Sequence, residues 1–228
     1  MLAKTKESQY QFVLDIQAEN GRSHLGLMSN QCWHDDPRRI AFFLARYKFV
    51  AKMLRGKQSA LEVGCGDAFG TRIVCQEVPE VTAIDFDPIF VEDVNRRMAK
   101  KWPFTCFVHD MLDGPMSSCY ESAYSLDVLE HIQPADEDRF IRNVVSSLTD
   151  HGVFIVGSPS LQSQPYASRA SKEGHVNCKD HEDLRKLMCN YFHDVFMFSM
   201  NDEIVHTGFG PLAHYLIALC VAPRVASR

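Results

Sequence analysis

The segment Leu61-Glu62-Val63-Gly64-Cys65-Gly66-Asp67-Ala68-Phe69-Gly70 constrains the fold more than any other stretch of the chain. An apolar strand over residues 60–63 runs into a glycine-rich bend and then into a helix. Such a bend brings the backbone close to a ligand at the carboxyl edge of a parallel sheet. The rhythm continues downstream. Residues 81–84 read as a strand closed by Asp85, and Pro88 opens a helix to about Lys101, where its missing N–H costs nothing. Residues 104–109, 123–126 and 152–156 read as further strands, with a helix over 135–148. Strands alternating with helices imply parallel βαβ units with right-handed crossovers. The end of the chain breaks the pattern. After a helix over 181–190, residues 195–200 and 214–221 read as strands with only a loop between them. They predict an antiparallel hairpin on one sheet edge.

The 228 residues suit one domain. Residues 1–58 are expected to form a helical N-terminal cap and 59–228 a Rossmann-like core. In the cap, Ile40, Phe43, Leu44, Tyr47, Val50, Ala51 and Leu54 recur at helical spacing. The formal net charge of -5 opposes a grip on long nucleic acid. The cluster Arg38, Arg39, Arg46, Lys48, Arg55 and Lys57 reads as a solvated helix face. No apolar run reaches the roughly 18 residues that span a bilayer, and the first residues are polar, so a cytoplasmic protein with no membrane partner is expected. The eight cysteines are scattered without a CxxC pair, which predicts reduced thiols rather than a zinc knuckle.

A GxG bend also serves dinucleotides, whose pyrophosphate sits at the helix N-terminus. Charge separates the two cases. Glu62 stands just before the first glycine and Asp67 just after the second, and Phe69 occupies the place of a third glycine. Carboxylates repel a pyrophosphate and suit a cationic amino group. S-adenosylmethionine carries an ammonium, a sulfonium and a ribose, and no phosphate. Asp85 lies 19 positions after Gly66, where a carboxylate accepts hydrogen bonds from ribose hydroxyls.

Over residues 60–159 the ordered motifs LEVGCGDAFG, AIDFDP, the acid of HDM, and SLDVLEHI resemble those of class I S-adenosylmethionine-dependent methyltransferases. The resemblance implies an α/β, doubly wound, Rossmann-like, seven-stranded and mostly parallel sheet with a C-terminal antiparallel hairpin. It implies that Glu62, Gly64, Cys65 and Gly66 line the methionine end of the cofactor, with Asp127 nearby. Asp85 would hold the ribose, Phe86 would lie against the adenine, and Asp110 with Met111 would meet the adenine amino group.

The segment Asp127-Val128-Leu129-Glu130-His131 follows the fourth strand. A chain that coils after Asp127 places 127, 130 and 131 on one face. His175, after the fifth strand and a polar insertion, reaches over the same pocket. Asp127, Glu130, His131 and His175 are therefore candidate ligands for Mg²⁺, Mn²⁺ or Zn²⁺. A metal there lowers the pKa of a substrate hydroxyl. Without one, His131 or His175 serves as general base. The segment resembles the DVLEH motif of ubiquinone-biosynthesis O-methyltransferases. It also resembles the ExxEH motif of small-RNA 3′-terminal 2′-O-methyltransferases, with Asp127 in place of their first glutamate. The leading expectation is O-methylation of a small hydroxylated molecule, such as a phenol, a sugar or a glycosylated intermediate. The alternatives are a metal-dependent RNA-terminus methyltransferase, a nicotinamide-dependent oxidoreductase, and a binding module without turnover. Trp33 and His34 are candidate lid residues, and Tyr166, Ser168 and Arg169 candidate determinants of acceptor choice. His181, His206 and His214 read as structural, and the aromatics Phe192, Phe196 and Phe198 as sheet core.

Overall fold

The computed structural model describes residues 3–224. The chain opens with helices α1 (Gln11–Asn20), α2 (Leu27–Asp35) and α3 (Arg38–Met53). α1 buries no side chain. The apolar stripe of α3 carries Val50, Ala51 and, at its end, Leu54 into a core shared with Val74, Tyr124, Ile155 and Ile217. That stripe is the one read from the spacing.

Strands and helices then alternate: β1 (Ser59–Val63), α4 (Thr71–Val74), β2 (Glu80–Asp85), α5 (Pro88–Arg97), β3 (Thr105–Val108), β4 (Tyr120–Leu126), α6 (Glu137–Ser146) and β5 (Leu148–Pro159). α4 ends at Val74, and a turn carries the chain on to Pro79, which disfavours helical backbone at Val78. α5 begins as expected, with Pro88 in its first turn and the Asp87 carboxylate accepting from the Ile89 N–H (2.8 Å). The chain closes with α7 (Arg169–Gly174), α8 (His181–Cys189), β6 (Phe192–Asn201), β7 (Ile204–His206) and β8 (Tyr215–Pro223).

The fold is Rossmann-like α/β, with one sheet in the order β3-β2-β1-β4-β5-β8-β6-β7. Pairs from β3 to β5 are parallel, and β8 runs antiparallel to both β5 and β6. One expectation is corrected. The sheet has eight strands rather than seven. Asp202 adopts φ +50°, a left-handed conformation that aspartate tolerates, and turns Ile204–His206 back onto β6. A three-residue strand inside a polar loop leaves almost no periodic trace. The late strands β6 and β8 pair antiparallel as the expected hairpin, with β8 the inner of the two, against β5. The β8 run Tyr-Leu-Ile-Ala-Leu-Cys-Val is apolar on both faces, which calls for a neighbour on each side.

α6 and α8 cover one face, burying Phe140, Ile141, Val144, Leu184 and Met188 against Phe154 and Phe192. The strand order reverses direction between β1 and β4, so a crevice opens at their carboxyl ends. Among the described residues no helix is long and apolar enough to cross a membrane.

Candidate functional site

The glycine bend sits at that crevice. Gly64 has φ +73° and Gly66 φ +52°, in the region that favours glycine. A Cβ on Gly64 would stand 2.4 Å from Val128 Cγ2, and one on Gly66 2.7 Å from Met28 Sδ. The bend is thus wedged between the segment after β4 and helix α2. Ser29 fastens α2 there, donating from its N–H (2.7 Å) and hydroxyl (2.8 Å) to one Asp67 oxygen.

Around the bend the acids already have donors. Asp85 is buried and accepts from the N–H groups of Gly66 (2.8 Å) and Asp87 (3.0 Å). Phe86 beside it is 71% exposed. Asp110 accepts from the Leu112 N–H (2.8 Å), and Met111 is buried in the core beneath. Cys65 is buried in the bend. Glu62 is placed behind the bend rather than on the crevice wall, which departs from the sequence expectation. Its carboxylate accepts from Tyr47 Oη (2.7 Å), Thr71 Oγ1 (2.5 Å) and Tyr124 Oη (2.9 Å). Burial pushes its pKa up to about 7, against the pull of those three donors. No local pattern marks this hub, because its members come from α3, β1, α4 and β4.

The DVLEH segment coils only in part. Asp127 is left-handed (φ +58°), and a 3₁₀ turn spans Leu129–His131. Glu130 is fully buried, and neither of its carboxylate oxygens has a hydrogen-bond partner of good geometry; the nearby Ser158 hydroxyl exerts only a minor pull on its charge. Burial, then the Asp127 charge, pushes its pKa up to about 8. The return of the chain before α8 is tied to this turn. The N–H groups of Val176 (2.8 Å) and Asn177 (3.0 Å) donate to the Glu130 carbonyl. His131 Nδ1 donates to the Gly174 carbonyl (2.9 Å), and His175 Nδ1 to Gln164 Oε1 (2.8 Å). Those partners hold a proton on each Nδ1 and leave each Nε2 with a lone pair. Burial, then neighbouring His131, lowers the His175 pKa, which keeps that ring neutral near pH 7. Glu130, His131 and His175 each offer a ligand atom within 4.8 Å of the others. A carboxylate without partners and two oriented imidazoles fit a divalent cation. Asp127, the fourth candidate, is not in this group, because its left-handed backbone sends its carboxylate to Arg46.

Arg46 corrects the reading of a solvated basic face. Its guanidinium donates to Asp127 (2.6 Å) and lies 3.7 Å from the centre of the Tyr215 ring. Burial, the largest single influence, opposes its charge, but Asp127, Tyr215 and Glu130 together outweigh it and the net pKa is raised. Its Nε is buried without a partner. Arg46 could have been flagged only by noticing that position 46, three after Phe43 and four before Val50, lies on the apolar stripe itself. Arg46, Asp127, Glu130, His131 and His175 share a cavity of about 510 Å³ with Gly64 and Gly66. Replacing Arg46 with alanine leaves Asp127 unpaired beside Glu130 and the Tyr215 face uncovered, so S-adenosylhomocysteine affinity is expected to fall about 10- to 100-fold by calorimetry, with a lowered Tm.

Elsewhere, Trp33 (56% exposed) lies on α2 at the crevice rim, one residue from cavity-lining Cys32. Tyr166 is exposed, Ser168 caps α7, and Arg169 pairs with Glu173. His181 packs on Gly210, and His206 accepts from the Gly208 N–H. Phe192 is core, whereas Phe196 is exposed, contrary to expectation.

Comparison with known proteins gives a consistent set of matches. Residues 60–152 match a family model described as a methyltransferase domain. Two proteins of Mycobacterium tuberculosis, each named as a probable S-adenosylmethionine-dependent methyltransferase, are 22% identical over 167 residues. The match covers 67% of this chain and 59% of theirs, so the chain spans about three fifths of the length of these relatives. Among solved structures, the N-methyltransferase NodS from Bradyrhizobium japonicum with S-adenosylhomocysteine bound is 18% identical, with TM-score 0.60 over 84% of this chain and 91% of that one. The methyltransferase domain of bacterial CtHen1 is 13% identical, with TM-score 0.62 over 79% and 99%. The plantazolicin methyltransferase BpumL is 13% identical, with TM-score 0.62 over 85% and 93%. At these identities the likeness is one of fold.

Proposed function

We infer that the chain is a class I S-adenosylmethionine-dependent methyltransferase that methylates an oxygen of a small hydroxylated molecule beside a divalent cation. The observation that carries the finer reading is Glu130: a fully buried carboxylate whose two oxygens have no partner, flanked by His131 and His175. Such a group is costly to a fold unless a ligand completes it.

The cofactor supplies an electrophilic methyl group on a sulfonium. The bend at Gly64–Gly66 lets it approach the backbone, and the Arg46–Asp127 pair offers one charge to each end of an amino-acid zwitterion. Asp85, with lone pairs to spare, suits the ribose, and Phe86 with Asp110 and Met111 suits the adenine. Glu130, His131 and His175 would hold Mg²⁺, Mn²⁺ or Zn²⁺, which when bound acidifies a hydroxyl. The Gly174 carbonyl and Gln164 fix the two imidazoles, so that the acceptor oxygen meets one orientation. α2, α3 and α7 wall the cavity and exclude water, and alignment of the reactants supplies most of the rate. A small acceptor fits the charge pattern better than RNA does. The rim arginines Arg38, Arg39 and Arg169 are each paired with a neighbouring acid.

The test is thermal unfolding with and without Mn²⁺ or Zn²⁺. The cation is expected to raise Tm by several degrees at about 100 times its Kd. Glu130→Gln is expected to lose that rise while unfolding no earlier than wild type in chelator, because it removes an unpartnered buried carboxyl. A metal-independent Tm in wild type, or a destabilised E130Q without metal, removes the cation from the reading. Labelled methyl transfer to phenols and sugars, compared with short RNAs, tests the acceptor class.

A further inference from the structure

A second cavity lies behind the glycine bend, away from the proposed chemistry. α4 is a single turn of four residues between α3 and α5, which have 16 and 10, so the helical layer over the sheet is thin there. A cavity of about 370 Å³ occupies the gap. Its floor is apolar: Ile73 of α4, Val94 of α5 and Phe104 just ahead of β3. Asp67 and Phe69 form the wall between this cavity and the crevice, since they line both. An apolar hollow with a few placed polar groups is the usual form of a small-molecule site.

The charges around it do not cancel. Asp67 is the one acid among the lining residues, and its carboxylate is already claimed by Ser29 and by the Phe69 N–H (3.2 Å). Arg97 pairs with Asp93 (2.8 Å) and donates to the Asp67 carbonyl (2.7 Å). Arg72 and Lys101 are left over, because among the described residues neither pairs with a carboxylate. Arg72 Nη2 donates to the Lys101 carbonyl (3.3 Å), which sets the guanidinium beside Trp102. The Lys101 ammonium stands 5.5 Å from the centre of the Trp102 ring. Trp102 itself is left-handed (φ +59°), an uncommon state for a bulky residue, and its part-exposed indole lines the cavity. An aromatic face and two uncompensated cations thus meet at the rim of an apolar hollow.

We propose that this cavity binds a small aromatic carboxylate, at a site separate from both cofactor and acceptor. The ring lies in the hollow against Trp102, and the carboxylate meets the Arg72 guanidinium, with the Lys101 ammonium adding to the attraction. The planar fork of an arginine takes both oxygens of one carboxylate. A purely apolar ligand would leave the two cations unanswered, and a bare inorganic anion would leave the hollow unfilled. The volume lies near the lower end of ligand pockets, which suits a molecule of one or two rings. Bound there, the acid touches Phe69 and so meets the glycine bend from behind. The inference does not depend on the cofactor assigned above.

The experiment is calorimetry of the whole chain with 2-naphthoate, 2-naphthamide and acetate. A single 2-naphthoate is expected to bind with Kd below about 1 mM. The amide, which lacks the charge, and acetate, which lacks the ring, are each expected to bind about tenfold more weakly. Arg72→Met keeps the apolar stem and loses the charge, and is expected to weaken 2-naphthoate about tenfold. Trp102→Ala is expected to cost about as much through lost stacking. His175→Ala, in the crevice, is expected to leave 2-naphthoate affinity unchanged. Wild type that takes 2-naphthoate no better than the amide or acetate overturns the proposal whether or not any variant folds. So does an affinity untouched in R72M, or one lost in H175A, which places the acid in the crevice instead. A chain that binds 2-naphthoate as expected but not S-adenosylhomocysteine upholds this site and strikes the cofactor reading alone.

Discussion

Alanine at both His131 and His175 is expected to lower kcat by about 10³-fold while leaving S-adenosylhomocysteine affinity within about threefold. The two imidazoles line the cavity, each with its Nδ1 anchored on a carbonyl oxygen, and under the proposed function they serve the acceptor. Whether they hold a cation or take a proton, both functions act on the acceptor hydroxyl and neither touches the bend at Gly64 and Gly66. Each single variant is expected to cost nearly as much as the pair, since groups that act as a unit lose their function together. Single-turnover methyl transfer from labelled cofactor measures this. Equal turnover in wild type and the double variant would remove both histidines from the chemistry.

Gly64→Ala is expected to cost about 3 kcal/mol of stability, lowering Tm by roughly 6–12 °C, and to weaken S-adenosylhomocysteine binding at least tenfold. Two independent penalties combine there. A side chain at φ +73° is strained, and its Cβ would lie 2.4 Å from Val128 Cγ2. Val128 cannot give way freely, because it sits between left-handed Asp127 and the 3₁₀ turn that carries Glu130 and His131. The displacement therefore passes from the bend into the acceptor cluster. Scanning calorimetry and binding on the same sample check both effects. A variant that melts with wild type would show that the bend has room the structure does not give it.

Much of this was legible in the chain itself, where local chemistry and long-range packing agree. The strand–glycine–helix order, Asp85 at the end of its strand and Pro88 at the start of a helix are each dictated by neighbours a few residues away. The cluster of Glu130 with His131 follows from adjacency, and His175 was placed by its position after the fifth strand. What escaped was set by contacts between distant elements. Arg46 looked like part of a solvated basic face, yet its partners are Asp127 and Tyr215, 81 and 169 positions away along the chain. Glu62 looked like a ligand for a cationic amino group, yet three hydroxyls from other elements claim it. Asp127 looked like a fourth ligand on a helical face, yet a left-handed residue cannot share the face of the turn that follows. β7 was hidden because three residues in a polar loop have no period to read.

These corrections also refine the electrostatic argument for the cofactor. Glu62, Asp67 and Asp85 do not wait as bare anions, because each has hydrogen-bond donors of its own. Among the described residues no salt bridge neutralises any of the three side chains, although Arg97 donates to the Asp67 carbonyl (2.7 Å), so the bend still carries more acid than a pyrophosphate favours. The selection works through the summed field of the acids more than through a direct ion pair.

A crystal structure of the protein grown with S-adenosylhomocysteine and Mn²⁺ tests that account most directly. Density for the nucleoside against Asp85, its amino-acid end over Gly64–Gly66, and an anomalous Mn²⁺ peak bonded to Glu130, His131 and His175 is the expected result. A crevice that excludes S-adenosylhomocysteine and takes a dinucleotide pyrophosphate at the glycine bend would contradict it.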